Sequence, residues 1–289
     1  MNSEPIWDDH PELRRPVLVA GFKGWNDAAD SASDAVDWLA TNLTAEPFAR
    51  IDPERYYDFQ TTRPHVVVRD GVTERVTWPM NEFSAATGTS SQHDFIILRG
   101  VEPHFGWRTF SDAVVQVART TGCELVVTLG ALLADVPHTR APTITGTATD
   151  PDLIARLGLE RSRYEGPTGI VGVLHDVCRR AGLVSASLWA PVPHYVASPP
   201  DPMASRELVS RFAQLTGLAI DLTELDLAAE GWRSRVSAAV VGDSDTAAYV
   251  EELEGRFDAE IRDAGLGDLP SGDDLAAELE RYLREQRDE

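Results

Sequence analysis

Lysine is almost missing from this chain. Its 289 residues hold one lysine, Lys23, against 25 arginines, and only two cysteines, Cys123 and Cys178. So few cysteines exclude a disulfide-stapled scaffold. With no apolar run of signal-sequence type ahead of Pro16, the expectation is a cytoplasmic protein with two free thiols. No apolar stretch approaches the ~18 to 20 residues that cross a bilayer as a helix. The seven histidines (10, 65, 93, 104, 138, 175 and 194) are scattered. No His-x-x-x-His or Cys-x-x-Cys pair occurs, so no metal is expected. A Gly-x-Ser-x-Gly elbow, a Gly-x-Gly-x-x-Gly turn and a phosphate-binding P-loop are also lacking, and no cofactor is expected.

Positive charge is short as well. Lys and Arg total 26 against 47 acids, a formal net charge of −21. This excludes a nucleic-acid binder held by phosphate neutralisation. The arginine bias fits GC-rich coding better than salt adaptation.

What is present is ordinary globular usage, 43% hydrophobic and 25% charged. The acid is uneven: residues 221–289 hold 20 acidic and 7 basic side chains. The expected organisation is a short tail over 1–15, an α/β core domain over 16–225 and an acidic helical extension over 226–289. In the core, apolar runs at 17–20, 95–98, 125–129 and 185–189 alternate with helical periods at 28–43, 109–121 and 169–181. Short, fully apolar strands between helices predict a sheet covered on both faces, a three-layer α/β/α domain with a mixed sheet. Asn26 or Asp27 is placed to cap the first helix, and Thr168 the third. Asp70-Gly71 between 66–68 and 72–78 predicts a tight hairpin. Beyond the core, helices are expected over 225–241, with its start near Leu225, over 246–264 with Ser244 as cap, and over 273–285.

Chemistry-bearing residues gather in the loops after the strands, where open α/β sheets commonly build their sites. Lys23, Trp25, Asn26 and Asp27 follow the first strand. Arg99, Glu102 and His104 follow the third, and Asp135, His138 and Arg140 the fourth. Tyr164 and Glu165 precede the third helix. Glu102 or Asp135 with His104 or His138 has the residue types for acid-base work. The structural alternative pairs Arg99 and Arg140 with Glu102 and Asp135 to hold the loops. For the first loop the alternatives are a turn and cap, or contact with a ligand or partner.

Gly24-Trp25-Asn26-Asp27, Leu98-Arg99-Gly100 with Glu102-Pro103, Thr128-Leu129-Gly130-Ala131 running into Asp135 to Arg140, and Tyr164-Glu165-Gly166-Pro167-Thr168-Gly169 together resemble the family of the second proteasome assembly chaperone, in its actinobacterial branch. The resemblance spans roughly residues 16–220. It implies a phosphorylase/hydrolase-like α/β/α fold and self-association into a homo-oligomer such as a trimer. For eukaryotic and archaeal relatives it implies binding of proteasome α-subunits during assembly. It implies no established catalytic site. Relatives can dock through a terminal hydrophobic–tyrosine–any-residue motif, and Gln286-Arg287-Asp288-Glu289 does not match it. The leading expectation is a non-enzymatic interaction protein with itself and proteasome subunits as partners, and neither nucleic acid nor membrane. The competing expectation is a small-molecule binder or a hydrolase- or phosphorylase-like enzyme using the same loops.

Overall fold

A computed structural model describes residues 4–149, 153–154, 160–161, 164–196 and 198–263. Its centre is a nine-stranded sheet. In chain order the strands are β1 (Ile6–Trp7), β2 (Val17–Lys23), β3 (Glu46–Ile51), β6 (Asn81–Ala86), β7 (Phe95–Val101), β8 (Leu125–Ala134), β9 (Thr145–Ala148), β10 (Glu160–Arg161) and β11 (Ser185–Pro193). The remaining pair, β4 (His65–Arg69) and β5 (Val72–Thr77), forms a separate two-stranded sheet. Across the large sheet the order is β1-β3-β6-β7-β2-β8-β11-β9-β10. The central four, β7, β2, β8 and β11, are parallel. β6 and β9 flank them antiparallel. The sheet is therefore mixed, as its sequence pattern implies.

Alternation along the central strands divides the core in two. Val17 and Val19 of β2, Phe95 and Ile97 of β7, and Val127 and Leu129 of β8 face one side. There they meet Val36 and Leu39 of α1 (Ser31–Asn42) and Leu208 and Phe212 of α4 (Pro202–Thr216). Leu18, Ala20, Ile96, Leu98 and Val126 face the other side. Their partners are Phe110 and Val114 of α2 (Trp107–Thr120) and Val171 and Leu174 of α3 (Ile170–Arg180). Helices on both faces explain why these strands read as continuous apolar runs.

The central strands outrun their apolar segments. β2 passes Gly21 to reach Lys23, β8 continues to Ala134, and β11 pairs with β8 residue by residue as far as Pro193↔Ala134. The Asp70-Gly71 turn forms as its dipeptide predicts, with φ of 52° and 78° at the two residues. Several elements escape the sequence reading. β3 and β6 are flanking strands with little apolar pattern, and α4 follows Asp201-Pro202. There the Asp201 carboxylate accepts the Met203 and Ala204 N–H groups at 3.0 and 3.1 Å, an N-cap with Pro at the first helical position.

Two compact units divide the chain, residues 1–237 and 238–289. α5 (Thr223–Val240) buries Leu225 and Trp232 within the first unit. In the second, α6 (Ser244–Asp263) begins where Asp243 accepts the Asp245 and Thr246 N–H groups, so Asp243 caps this helix and Ser244 does not. The helix expected over 273–285 lies outside the described residues. Both cysteines are free, and burial pushes each thiol up to about 12. No described helix is long and apolar enough to cross a membrane.

Candidate functional site

The parallel strands β7, β2 and β8 all end at one edge of the sheet, so the loops behind them converge there. Asp27 continues toward β8 through an isolated parallel bridge to Ala131, whose N–H donates to the Asn26 carbonyl at 2.8 Å. The Asp27 carboxylate accepts the Ala32 and Ser33 N–H groups at 2.7 and 3.0 Å and the Ser33 hydroxyl at 2.6 Å. Asp27 therefore serves the start of α1, as one of the two sequence alternatives has it. Burial raises its pKa against the pull of these bonds. Between Asp27 and α1, Ala29 and Asp30 both adopt left-handed φ, 51° and 56°. That is a strained backbone for non-glycine residues. The Ala29 carbonyl accepts the Asp201 N–H at 3.1 Å, which ties this turn to α4.

Glu102 is the hub of the loop cluster. Its own N–H donates to the Lys23 carbonyl at 2.8 Å. One carboxylate oxygen accepts the Trp25 N–H at 3.1 Å and the other the Ile170 N–H at 2.8 Å. A carboxylate at the N-terminus of α3 satisfies an orphan amide and suits the helix dipole. The amide there is thus held by Glu102, and Thr168 is not its cap. Gly169 makes the close approach possible. A Cβ at this position would lie 2.0 Å from Asn26 Oδ1 and 2.5 Å from Glu102 Oε1. Asn26 is 3% exposed, and its Oδ1 has no hydrogen-bond partner among the described residues.

The remaining candidates do not join this cluster in catalytic pairs. Arg99 reaches Glu82 at 2.7 Å and Asp37 at 3.7 Å, which corrects the expected pairing with Glu102. Asp135 faces His194 Nδ1 at 3.2 Å. His138 is 2% exposed, with Nδ1 2.7 Å from the Tyr195 hydroxyl and Nε2 3.0 Å from the Ser237 hydroxyl. Its ring also meets Trp232 edge-on. Arg140 lies beside Thr139, its N–H toward the Pro137 carbonyl. His104 Nδ1 accepts the Asp58 N–H, and its Nε2 lies 3.2 Å from the Thr62 hydroxyl. The expected carboxylate–histidine acid-base pairs are therefore not those that form. Among the described residues no three His, Cys, Asp or Glu side chains gather as a metal site.

This edge exposes a set of large apolar side chains. Trp25 is 65% exposed and Leu133 60%, with Leu132, Phe105 and Tyr164 also exposed. The Tyr164 hydroxyl donates to the Pro167 carbonyl, which folds the loop back on itself, and Glu165 beside it is exposed. Lys23 is exposed at the end of β2. Phe105, Leu132 and Leu133 were not among the residues singled out by sequence. Their signal was available as apolar residues placed beyond the runs that the helices cover.

Fold and site together define a three-layer α/β/α protein in which two loop carboxylates, Asp27 and Glu102, hold backbone amides. The chain belongs to the PAC2 family, which its residues 21–240 match. It is 45% identical to a PAC2 family protein of Streptomyces avermitilis, covering 81% of this chain and 99% of that one, with a TM-score of 0.76. A Mycobacterium tuberculosis proteasome-assembly chaperone homologue matches at 42% identity with the same coverage and TM-score. An archaeal proteasome activator of Pyrococcus furiosus, 20% identical with a TM-score of 0.65, covers 82% of this chain and 99% of its own and shares the fold. No curated protein matches the chain.

Proposed function

We propose that this chain is a non-enzymatic cytoplasmic binding protein of the proteasome-assembly-chaperone kind. It associates with copies of itself and presents the carboxyl edge of its parallel strands to a proteasome-related protein. The observation that carries this reading is the division of labour at that edge. Asp27 and Glu102 are engaged by backbone amides, while Trp25, Phe105, Leu132, Leu133 and Tyr164 face solvent. Exposed aromatic and leucine side chains on a rigid edge suit a protein partner, because such residues anchor interfaces when desolvated. Membership of the PAC2 family, and the likeness to a mycobacterial proteasome-assembly chaperone homologue, point to a proteasome subunit as that partner. The net charge of −21 disfavours nucleic acid.

The test is binding of the full chain to purified proteasome α-subunits from the same source, compared with Trp25→Asp and Leu133→Asp variants. A loss of at least tenfold in affinity is expected for each, because a charge in a desolvated anchor position costs more than the contact it replaces. Wild-type protein that fails to bind at tens of micromolar, or variants that bind as well as wild type, would overturn the reading.

A further inference from the structure

Two exposed aromatic side chains of the carboxyl edge, Trp25 and Tyr164, lie on loops far apart in sequence, and one side chain stands between those loops. The Trp25 loop is a tight turn: the Asp27 N–H donates to the Gly24 carbonyl at 3.2 Å, with Trp25 and Asn26 at its centre. The first central N–H of such a turn has no acceptor within it, and that of Trp25 is taken by Glu102 at 3.1 Å. Gly24, at φ 139°, brings the backbone directly against this side chain, since a Cβ there would lie 2.9 Å from the Glu102 Cβ. The Glu102 N–H also donates to the Lys23 carbonyl, just ahead of the turn.

The second carboxylate oxygen accepts the Ile170 N–H at the first residue of α3, which the chain enters from the Tyr164 loop. A serine, threonine, aspartate or asparagine at position 169 would cap this helix locally. Position 169 is glycine and makes no side-chain cap, so the acceptor comes from the end of β7, 68 positions earlier in the chain. A local cap would satisfy the helix alone, whereas Glu102 fastens the helix start and the Trp25 turn to the same group. Among the described residues no Arg, Lys or His pairs with this carboxylate, and each of its oxygens serves one of the two loops.

We propose that Glu102 is the positioning residue of the partner-binding edge: its carboxylate fixes the Trp25 turn and the Tyr164 loop relative to each other before a partner arrives, and does not itself touch that partner. Fixing anchors in advance raises affinity, because a partner binds only the molecules whose anchors are in place and has no loop left to order. This rests on the edge assigned under the proposed function and names the residue that organises it.

The experiment uses the full chain with purified proteasome α-subunits from the same source, and circular dichroism confirms that every variant is folded. Glu102→Gln keeps the size and one acceptor oxygen but turns an NH2 toward the second amide. It is expected to speed amide hydrogen exchange at Trp25 or Ile170 by about tenfold, with the β7 amides unchanged, and to weaken binding by about tenfold, the scale of one hydrogen bond to a charged group. Gly169→Ala reaches the same junction from the other side. Its φ of −97° suits alanine, but its Cβ would displace the ends of Asn26 and Glu102, so the same losses are expected. The deciding measurement is a cycle with Trp25→Ala. If Glu102 acts by placing Trp25, Glu102→Gln weakens the Trp25→Ala protein by less than about twofold; a direct contact or a general loss of stability would weaken it as much as wild type. Wild type that fails to bind would overturn the proposed function and this role with it. Wild type that binds, with an additive cycle, unchanged exchange at both amides, or either variant binding as tightly as wild type, would overturn only the role of Glu102.

Discussion

β2 and β4 are both rich in valine, and they end in opposite environments. Val17-Leu18-Val19-Ala20 is no more than 1% exposed at any position, whereas Val66 and Val68 are 59% and 56% exposed. β2 lies between β7 and β8 with helices on both faces, while β4 has only β5 beside it. The same side chains thus stabilise the fold in one strand and are left as unburied surface in the other. The hydrophobic effect rewards area removed from water, and only the topology removes it.

The sharpest way to break this comparison is to place one charge in each environment. Ile97→Asp, at a fully buried position of β7, is expected to destabilise by more than about 4 kcal/mol, enough to abolish soluble folded protein. Its readout is circular dichroism together with soluble yield.

Next in size is a charge the fold already buries. The Asp201 carboxyl is pushed up to about 6 by burial, against the pull of the Ala204 and Met203 amides. Its folded pKa exceeds the unfolded one, so the folded state holds the proton more tightly. The resulting stability is fully present below about pH 4 and is lost as pH rises through about 6, a change on the order of 3 kcal/mol. Asp201→Asn keeps a cap acceptor and cannot ionise. Thermal melting from pH 4 to 7 should show wild type losing stability relative to this variant, and parallel curves would contradict the sign.

Glu102→Ala removes the acceptor shared by the Trp25 and Ile170 amides and is expected to cost about 1–3 kcal/mol in urea unfolding. A smaller change than that would mean that water replaces the carboxylate at α3. The smallest effect belongs to the hairpin. Val68→Asp should change stability by no more than about 0.5 kcal/mol in urea unfolding at low protein concentration. A larger loss would show that the hairpin is already buried in the single chain.

Much of the core was legible because strands covered on both faces leave an unbroken apolar signature. The runs at 95–98 and 125–129 and the periods at 109–121 and 169–181 correspond to β7, β8, α2 and α3. β3 was hidden by Pro47 and Arg50, and β6 by its small and polar residues, since a strand near the sheet margin carries no such run. α4 is announced by Asp201-Pro202, with Ala204, Leu208 and Phe212 at helical spacing, signals that lie outside the apolar runs of the strands. At the loops, residue type indicated importance without indicating role. Glu102 stands out by residue type, and its partners are two amides from sequence-distant segments, whereas Arg99 turns to Glu82 and Asp37 on neighbouring elements. His138 is buried against Tyr195, Ser237 and Trp232, contacts spanning about a hundred positions, which no local pattern encodes.

The sequence by itself determined the layered α/β class, the Asp70-Gly71 hairpin, the acidic bias of the last quarter and the family to which the chain belongs. Each follows from local periodicity, turn chemistry, composition or linear motif, quantities that need no three-dimensional neighbour. Only the tertiary structure decided which carboxylates hold amides, which valines stay in water and which apolar residues stand at the open edge. Those outcomes depend on distances between segments far apart in the chain, and burial and hydrogen bonding are properties of such distances.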